Sequence, residues 1–123
     1  MLSIALTSLL LASASPAGAS LFLQPVSATQ LELRLCFTGD GQQVRYDLEV
    51  LTVSAAGKQR SRQGGTLLAT ATRVCPILNR MGTSADRSVE ATVHWWVDGQ
   101  EQAPLEQRFP ENQQSNGRAG EPT

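Results

Sequence analysis

The stretch VEATVHWWV, residues 89–97, alternates two kinds of side chain along its length. Its odd-numbered residues are Val, Ala, Val, Trp and Val, and its even-numbered residues are Glu, Thr, His and Trp. Successive side chains of a β-strand point to opposite faces, so this period of two indicates a strand with one buried and one solvated face. The pattern places Trp95 in the core and puts His94 and Trp96 on the opposite face. The Asp98-Gly99 pair that follows is typical of a tight hairpin turn, which would pair the last two strands directly.

The same alternation recurs upstream. Residues 31–37 (LELRLCF) and 44–50 (VRYDLEV) alternate apolar and mostly polar residues, and glycine-containing turns at 39–41 and 64–65 separate strand-like segments. No segment after residue 20 repeats apolar residues at the spacing of an amphipathic helix. The sequence therefore predicts an all-β domain, a small immunoglobulin-like antiparallel β-sandwich of about seven strands. The predicted strands lie near residues 21–26, 30–37, 43–53, 65–70, 74–79, 88–97 and 103–109.

Composition excludes several classes of function. A length of 123 residues predicts one small domain. Ten Lys and Arg residues against eleven Asp and Glu give a formal net charge of −1, whereas nucleic-acid-binding domains are usually strongly basic. One His and two Cys residues are too few for a zinc site built from these side chains alone. We therefore expect no nucleic-acid partner, no metal and no cofactor.

No arrangement of residues in the sequence indicates catalysis. There is no nucleophile motif, phosphate-binding loop or dinucleotide fingerprint. Asp47 and Glu49 lie beside Arg45 on one strand face, a pattern that favours a solvated ladder of ion pairs over a pair of catalytic carboxylates. His94, the only histidine, is expected on the sheet surface. We therefore expect a protein that is not an enzyme and has no catalytic residues.

The first 19 residues have the features of a secretory signal peptide. An apolar run at 2–12 (LSIALTSLLLA) precedes Ala17-Gly18-Ala19, the small-x-small pattern that signal peptidase cleaves. The run is shorter than the ~20 residues needed to cross a membrane. We expect residues 1–19 to be removed and a mature domain at 20–110 to lie outside the cytosol, without membrane insertion. Residues 111–123 (ENQQSNGRAGEPT) lack large apolar side chains and are expected to form a disordered tail.

Cys36 and Cys75 are the only cysteines, and the expected compartment permits a disulfide between them. Such a bond would close a loop of about 40 residues. The alternation places Cys36 on the face of Glu32 and Arg34, so the bond would not be the buried inter-sheet bridge of antibody domains. The sequence leaves both the bridged and the free state open. No C-x-x-C motif supports thiol exchange.

Four residues are candidate contacts for a partner protein. Lys58, Arg60 and Arg62 alternate in KQRSRQ, residues 58–63, and would lie along one edge if this segment is extended. Cations on an edge strand can block unwanted pairing between sheets, or they can capture an acidic or unfolded polypeptide. Trp96 is a large aromatic residue on the solvated face. Either a loop or the C-terminal tail covers it, or it contacts a partner.

With this strand order, the chain from about residue 44 to 110 resembles the periplasmic curli assembly factors of the CsgC/CsgH type. The resemblance is carried by the order and spacing of several short segments. They are the strand at 46–50, the Ser/Gly/Lys/Arg-rich loop at 55–65, DRSV at 86–89, the VDGQ turn at 97–100 and QRFP at 107–110. One departure is that the C-x-C which some members carry at the start of the third strand is replaced here by Val44-Arg45-Tyr46.

The resemblance implies a small immunoglobulin-like sandwich that acts as a periplasmic, non-enzymatic chaperone. Its implied partners are amyloidogenic curli-type fibre subunits in an unfolded or extended state, which it would keep from polymerising before export, and a monomer is expected. Without the C-x-C, an electrostatic or edge-strand mechanism is favoured over a redox one. The alternatives are a generic secreted immunoglobulin-like binding module or accessory component of a surface fibre, and, with least support, a thiol oxidoreductase.

Overall fold

The computed structural model of the chain describes residues 17–110, which form eight β-strands and no helix. The predicted signal peptide lies outside the described residues except at positions 17–19, and the predicted tail at 111–123 lies wholly outside them. The strands are β1 (Gly18–Ser27), β2 (Gln30–Thr38), β3 (Gln43–Ser54), β4 (Gly57–Leu68), β5 (Val74–Gly82), β6 (Ser88–Val97), β7 (Gln100–Glu101) and β8 (Leu105–Phe109).

The strands form two antiparallel sheets. One sheet has the order β1-β2-β5, and the other has the order β4-β3-β6-β7, with β8 also paired to β6. Contacts between β1 and β8 join the two sheets along one side. The strands β4 and β5 therefore form the edges of the two sheets on the other side. This architecture confirms the predicted all-β antiparallel sandwich.

The core consists of the apolar residues that alternate in the central strands. Trp95, predicted to lie in the core, is 7% exposed, and its ring lies 5.8 Å from that of Phe37. The ring of Tyr46, from β3, also lies 5.7 Å from that of Phe37. The indole N–H of Trp95 donates to the carbonyl of Ala103 at 2.9 Å, so its polar atom is satisfied. The other buried apolar residues are Leu21, Leu23, Leu31, Leu33, Leu35, Cys36, Val44, Leu48, Val50, Ala69, Ile77, Val89, Ala91 and Val93.

The predicted hairpin turn at Asp98-Gly99 is confirmed. Both residues have positive φ, 48° and 84°, as the two central positions of a type I′ turn require. Asp98 also ties the turn to β3, because its carboxylate accepts a hydrogen bond from the backbone N–H of Gln43 at 2.9 Å. The strand predicted at 103–109 corresponds to β8, which begins two residues later, and the short β7 precedes it as a strand that the sequence pattern did not predict. Pro104 lies between them and has no N–H to donate to the ladder.

The main error in the predicted strand map concerns β4. A strand was expected to begin near residue 65, after a loop, but β4 begins at Gly57 and pairs with β3 through twelve consecutive residues. Segment 57–63 has no apolar residue, so its own sequence carries no strand pattern. It is extended because β3 provides a continuous hydrogen-bonding partner, and because Gly57, with φ of 129°, allows a tight turn.

The structure joins Cys36 and Cys75 in a disulfide. The bond links β2 to β5 within one sheet, so it is not an inter-sheet bridge. The ladder between these strands shifts register between Leu35 and Phe37, which brings Cys75 beside Cys36. Cys36 is fully buried although it lies on the outward face with Glu32 and Arg34. No free cysteine is present among the described residues.

Replacing both cysteines by alanine should lower the free energy of unfolding by about 3–4 kcal/mol, because the unfolded chain loses the cross-link across a separation of 39 residues. Urea denaturation of the oxidised wild type and the double variant measures this difference. The wild type unfolded in the presence of a reductant is the control and should match the variant. Equal midpoints for oxidised wild type and variant would contradict the stabilising role.

Candidate interaction surface

Lys58, Arg60 and Arg62 lie on β4, the edge strand of the five-stranded sheet. Their cross-strand partners in β3 are Val53, Leu51 and Glu49 respectively, residues that alternate with the core-facing positions. The three cations therefore project from the outer face of the sheet, with Cα atoms about 7 Å apart from one to the next. We call these three residues the basic edge.

The three cations of the basic edge differ in their partners. Arg60 donates from Nη1 to Glu49 Oε2 at 2.5 Å, which holds its guanidinium over β3. Within residues 17–110, neither Lys58 nor Arg62 takes part in an ion pair. The hydrogen bond from Arg60 is the largest cause that lowers the pKa of the Glu49 carboxyl, and the charges of Arg60, Arg62 and His94 add to it. Lys58 and Arg62 are thus the cations of the edge that form no salt bridge within the described residues, although Arg62 also acts on Glu49 through its charge.

Two consecutive residues of β4 after the basic edge, Gly64 and Gly65, have no side chains. A Cβ atom on Gly65 would lie 2.8 Å from the hydroxyl oxygen of Tyr46, and one on Gly64 would lie 2.6 Å from Asp47 Oδ1. Side chains from β3 therefore extend over both glycines. Gly64 leaves a position without a side chain on the outer face, between Arg62 and Thr66.

Trp96 is half-buried, and the residue that covers it comes from the neighbouring strand. The guanidinium carbon of Arg45 lies 3.8 Å from the centroid of the Trp96 ring, a cation–π stacking arrangement between cross-strand partners. The expected ion ladder on β3 is therefore wrong for Arg45, and Glu49 pairs with Arg60 instead. A shallow cavity of about 280 Å³ borders the stack and is lined by Gln43, Arg45, Thr66, Trp96 and Gly99.

The four predicted contact residues share one face but form two patches. Trp96 lies level with Thr66 of β4, four residues along the strand from Arg62, which corresponds to about 13 Å. It is also two strands away from β4, since β3 lies between them. His94 is exposed on this face, as predicted.

Sequence reasoning missed the residues that alternate with the basic edge. Gln59, Ser61 and Gln63 lie opposite Thr52, Val50 and Leu48, so they point toward the other sheet. Gln63 accepts a hydrogen bond from Asn79 of β5 at 3.1 Å. A cavity of about 230 Å³ opens here between the two edge strands. We call the polar group Gln59, Ser61, Gln63 and Asn79 the amide slot. The period of two in KQRSRQ is the sequence signal that places these residues on the face opposite the cations.

The described residues contain no metal-binding cluster. In the range 17–110, no group of three or more His, Cys, Asp or Glu side chains is placed to hold a metal ion. No helix in this range has the length and apolarity needed to cross a membrane.

Comparisons with known proteins show what fold this surface belongs to. No protein-family model matches the chain, and no curated protein matches its sequence. The solution structure of R. palustris CsgH is 21% identical, with a TM-score of 0.53, and the match covers 76% of this chain and 90% of that one. The E. coli curli protein CsgC is 18% identical, with a TM-score of 0.58, covering 77% and 99%. The ApaA protein from Bordetella pertussis is 12% identical, with a TM-score of 0.51, covering 80% and 97%. At these identities the comparisons establish a shared fold, and at that level they confirm the predicted resemblance to CsgC and CsgH.

Replacing Arg60 by glutamine should raise the pKa of Glu49 toward its ordinary value of 4.5, because the carboxylate loses its main hydrogen-bond donor. In the wild type, the folded-state pKa lies below the unfolded one. The pair therefore stabilises the fold above about pH 4.5, and this contribution is lost as the pH falls through the folded pKa. NMR titration of the Glu49 carboxyl carbon measures the shift.

The matched control is Arg108→Gln, which removes the arginine that pairs with Glu90 on the same face. It should leave the titration of Glu49 as in the wild type. An unchanged Glu49 titration in the Arg60→Gln variant would show that the hydrogen bond does not set this pKa.

Proposed function

We propose that this protein acts in curli biogenesis as a periplasmic, non-enzymatic chaperone that inhibits premature amyloid polymerisation of curli-type fibre subunits. The sandwich fold shared with CsgH and with the curli protein CsgC supports the curli connection. The observation that carries the chaperone role is the basic edge: an edge strand whose outer face bears two cations without an ion pair in the described part of the chain.

The mechanism follows from how amyloid grows. A fibre lengthens when an extended chain pairs its backbone with an exposed strand edge. The free side of β4 offers the same backbone groups to an extended subunit, so the subunit can bind there by strand addition. Lys58 and Arg62 attract acidic side chains and increase the rate of encounter. A subunit held on β4 is withheld from the growing fibre.

The same cations limit what happens next. Like charges along an edge disfavour pairing with a second copy of the same edge. The basic edge would therefore capture a client without starting a stack of its own. The Arg45–Trp96 pair adds a second contact further along the outer face, where a stacked aromatic and guanidinium are suited to apolar or aromatic side chains of the client.

A redox role has less support than this one. Cys36 and Cys75 are bonded to each other, Cys36 is fully buried, and neither cysteine belongs to a C-x-x-C motif, so a client thiol could reach the bond only at the exposed Cys75. Charge and backbone pairing at β4 provide a mechanism that needs no thiol.

The double variant Lys58→Gln/Arg62→Gln should lose most of the delay that the wild type imposes on fibre formation by a curli-type subunit. Removing two exposed charge contacts should weaken binding by about tenfold, at about 0.5–1 kcal/mol for each contact. Thioflavin fluorescence at substoichiometric chaperone measures the lag. Wild-type protein that produces no delay would contradict amyloid inhibition.

The control for this variant removes two cations elsewhere, in Arg73→Gln/Arg80→Gln. Arg73 lies between β4 and β5, and Arg80 pairs with Glu32 on the other sheet. This control carries the same net charge as the test variant and should keep the wild-type delay. A loss of delay in both variants would mean that net charge matters and the basic edge does not.

Trp96→Ala should weaken client binding without changing its dependence on salt, because the contribution of Trp96 is stacking and apolar contact. Affinity measured over a range of ionic strengths separates this effect from that of the basic edge. Phe22→Ala is the matched control, since Phe22 also lies under an arginine, Arg34, but on the outer face of the other sheet. Equal losses in the two aromatic variants would argue against a specific role of Trp96.

A further inference from the structure

The segment 58–63 of β4 presents two different chemistries to its two sides. The even-numbered residues are the cations of the basic edge, and the odd-numbered residues Gln59, Ser61 and Gln63 belong to the amide slot. Most edge-strand positions facing the interior of a sandwich carry apolar residues. Here three successive inward positions carry amides or a hydroxyl, and all three residues are exposed. The inward side of this edge is therefore open to solvent and polar.

The amide slot lies where the two sheets are not closed against each other. Each of β4 and β5 pairs with a neighbour on only one side, and these free sides border the same opening. The hydrogen bond from Asn79 Nδ2 to Gln63 Oε1, at 3.1 Å, spans the opening and is exposed to water. Leu33, Val50 and Met81 line the cavity beneath it. An incoming amide side chain can exchange with this single exposed hydrogen bond and keep both groups satisfied.

Arg87 adds an unused donor at this opening. Its side chain lines the same cavity, and its Nη1 donates to the carbonyl of Gly82 at 2.9 Å. Its Nε is buried without a hydrogen-bond partner. A side-chain or backbone oxygen that enters the slot can accept hydrogen bonds from the remaining N–H groups of this guanidinium, which lines the cavity.

We propose that the free edge of β4 selects extended segments in which acidic residues alternate with amide or hydroxyl residues. On addition to β4, the acidic side chains would lie against Lys58 and Arg62 on the outer face, and the amides would enter the slot beside Gln63 and Asn79. This inference rests on the proposed capture of an extended client at β4 and specifies which client segments bind there.

Alternation matters more than composition in this arrangement. Cross-strand neighbours in a sheet share a face, so a client residue meets either the basic edge or the amide slot, never both. A slip of one residue exchanges every side chain between the two faces. A segment with its acidic residues in one block would direct half of its carboxylates into the slot, away from the cations.

Two synthetic peptides of identical composition test this proposal. One alternates Glu and Gln, the other has all its Glu residues followed by all its Gln residues, and both are capped and long enough to span Lys58 to Arg62. The alternating peptide should bind the full chain roughly tenfold tighter, as expected for several matched cross-strand pairs. Its binding should also protect the β4 backbone amides from hydrogen exchange. Equal affinities for the two peptides would overturn the proposal.

Variants separate the two sides of the strand. Ser61→Ala/Gln63→Ala changes only exposed residues of the slot, so it should keep the fold and the binding of the block peptide but lose most of the preference for the alternating one. Lys58→Gln/Arg62→Gln should weaken both peptides. If the slot variant keeps the full preference, the amide slot is not involved.

The two proposals can fail independently. If the wild type delays subunit polymerisation but binds both peptides equally, the proposed selection of alternating segments is wrong and the proposed chaperone role stands. The reverse result, a preference without any delay, contradicts the chaperone role alone.

Discussion

The fixed register between β3 and β6 is the constraint on which the rest of the molecule depends. Ten consecutive pairs, from Val44 with Val97 to Val53 with Ser88, determine which side chains enter the core. A slip by one residue would place Trp96 in the core and expel Trp95. The β3–β6 pairing thereby fixes which face of β3 is outward, and the tight turn between Ser54 and Gly57 fixes β4 against β3, so that the cations point outward and the amides inward. The surface chemistry of the edge thus depends on both the core packing of β3 and the turn that leads into β4.

The sequence was sufficient to predict the fold class and most of the core, because β2, β3 and β6 alternate apolar and polar residues and each buries one face. It could not predict the first half of β4, since segment 57–63 contains no apolar residue and its extension depends on pairing with β3. Nor could it predict that Arg45 stacks on Trp96, because this contact requires knowing which residues face each other across two strands. The alternation correctly placed Cys36 on the outward face of β2. Its burial could not be predicted, because it depends on a shift in the β2–β5 register that the sequence does not reveal.

Structural similarity and surface chemistry contribute different parts of the functional proposal. The likeness to CsgH and CsgC, at about one-fifth identity, is a likeness of fold. A shared fold does not indicate which edge of the sandwich binds a client. The edge is indicated by features of this chain: the pairing of Arg60 with Glu49, the unpaired state of Lys58 and Arg62 within the described residues, and the opening beside Gln63 and Asn79.

The placement of three cations on a single edge also determines how the molecule is oriented in an electric field. The whole chain has a formal charge of −1, so everything apart from the basic edge is net acidic. Strand β4 itself contains three cations and no acidic residue, so its side of the folded domain carries an excess of positive charge, and this asymmetry gives the domain a dipole moment. An approaching acidic polypeptide exerts a torque on such a dipole and turns the β4 side of the sandwich toward itself before contact. Collisions of this nearly neutral protein with an acidic chain are thereby biased toward one productive orientation.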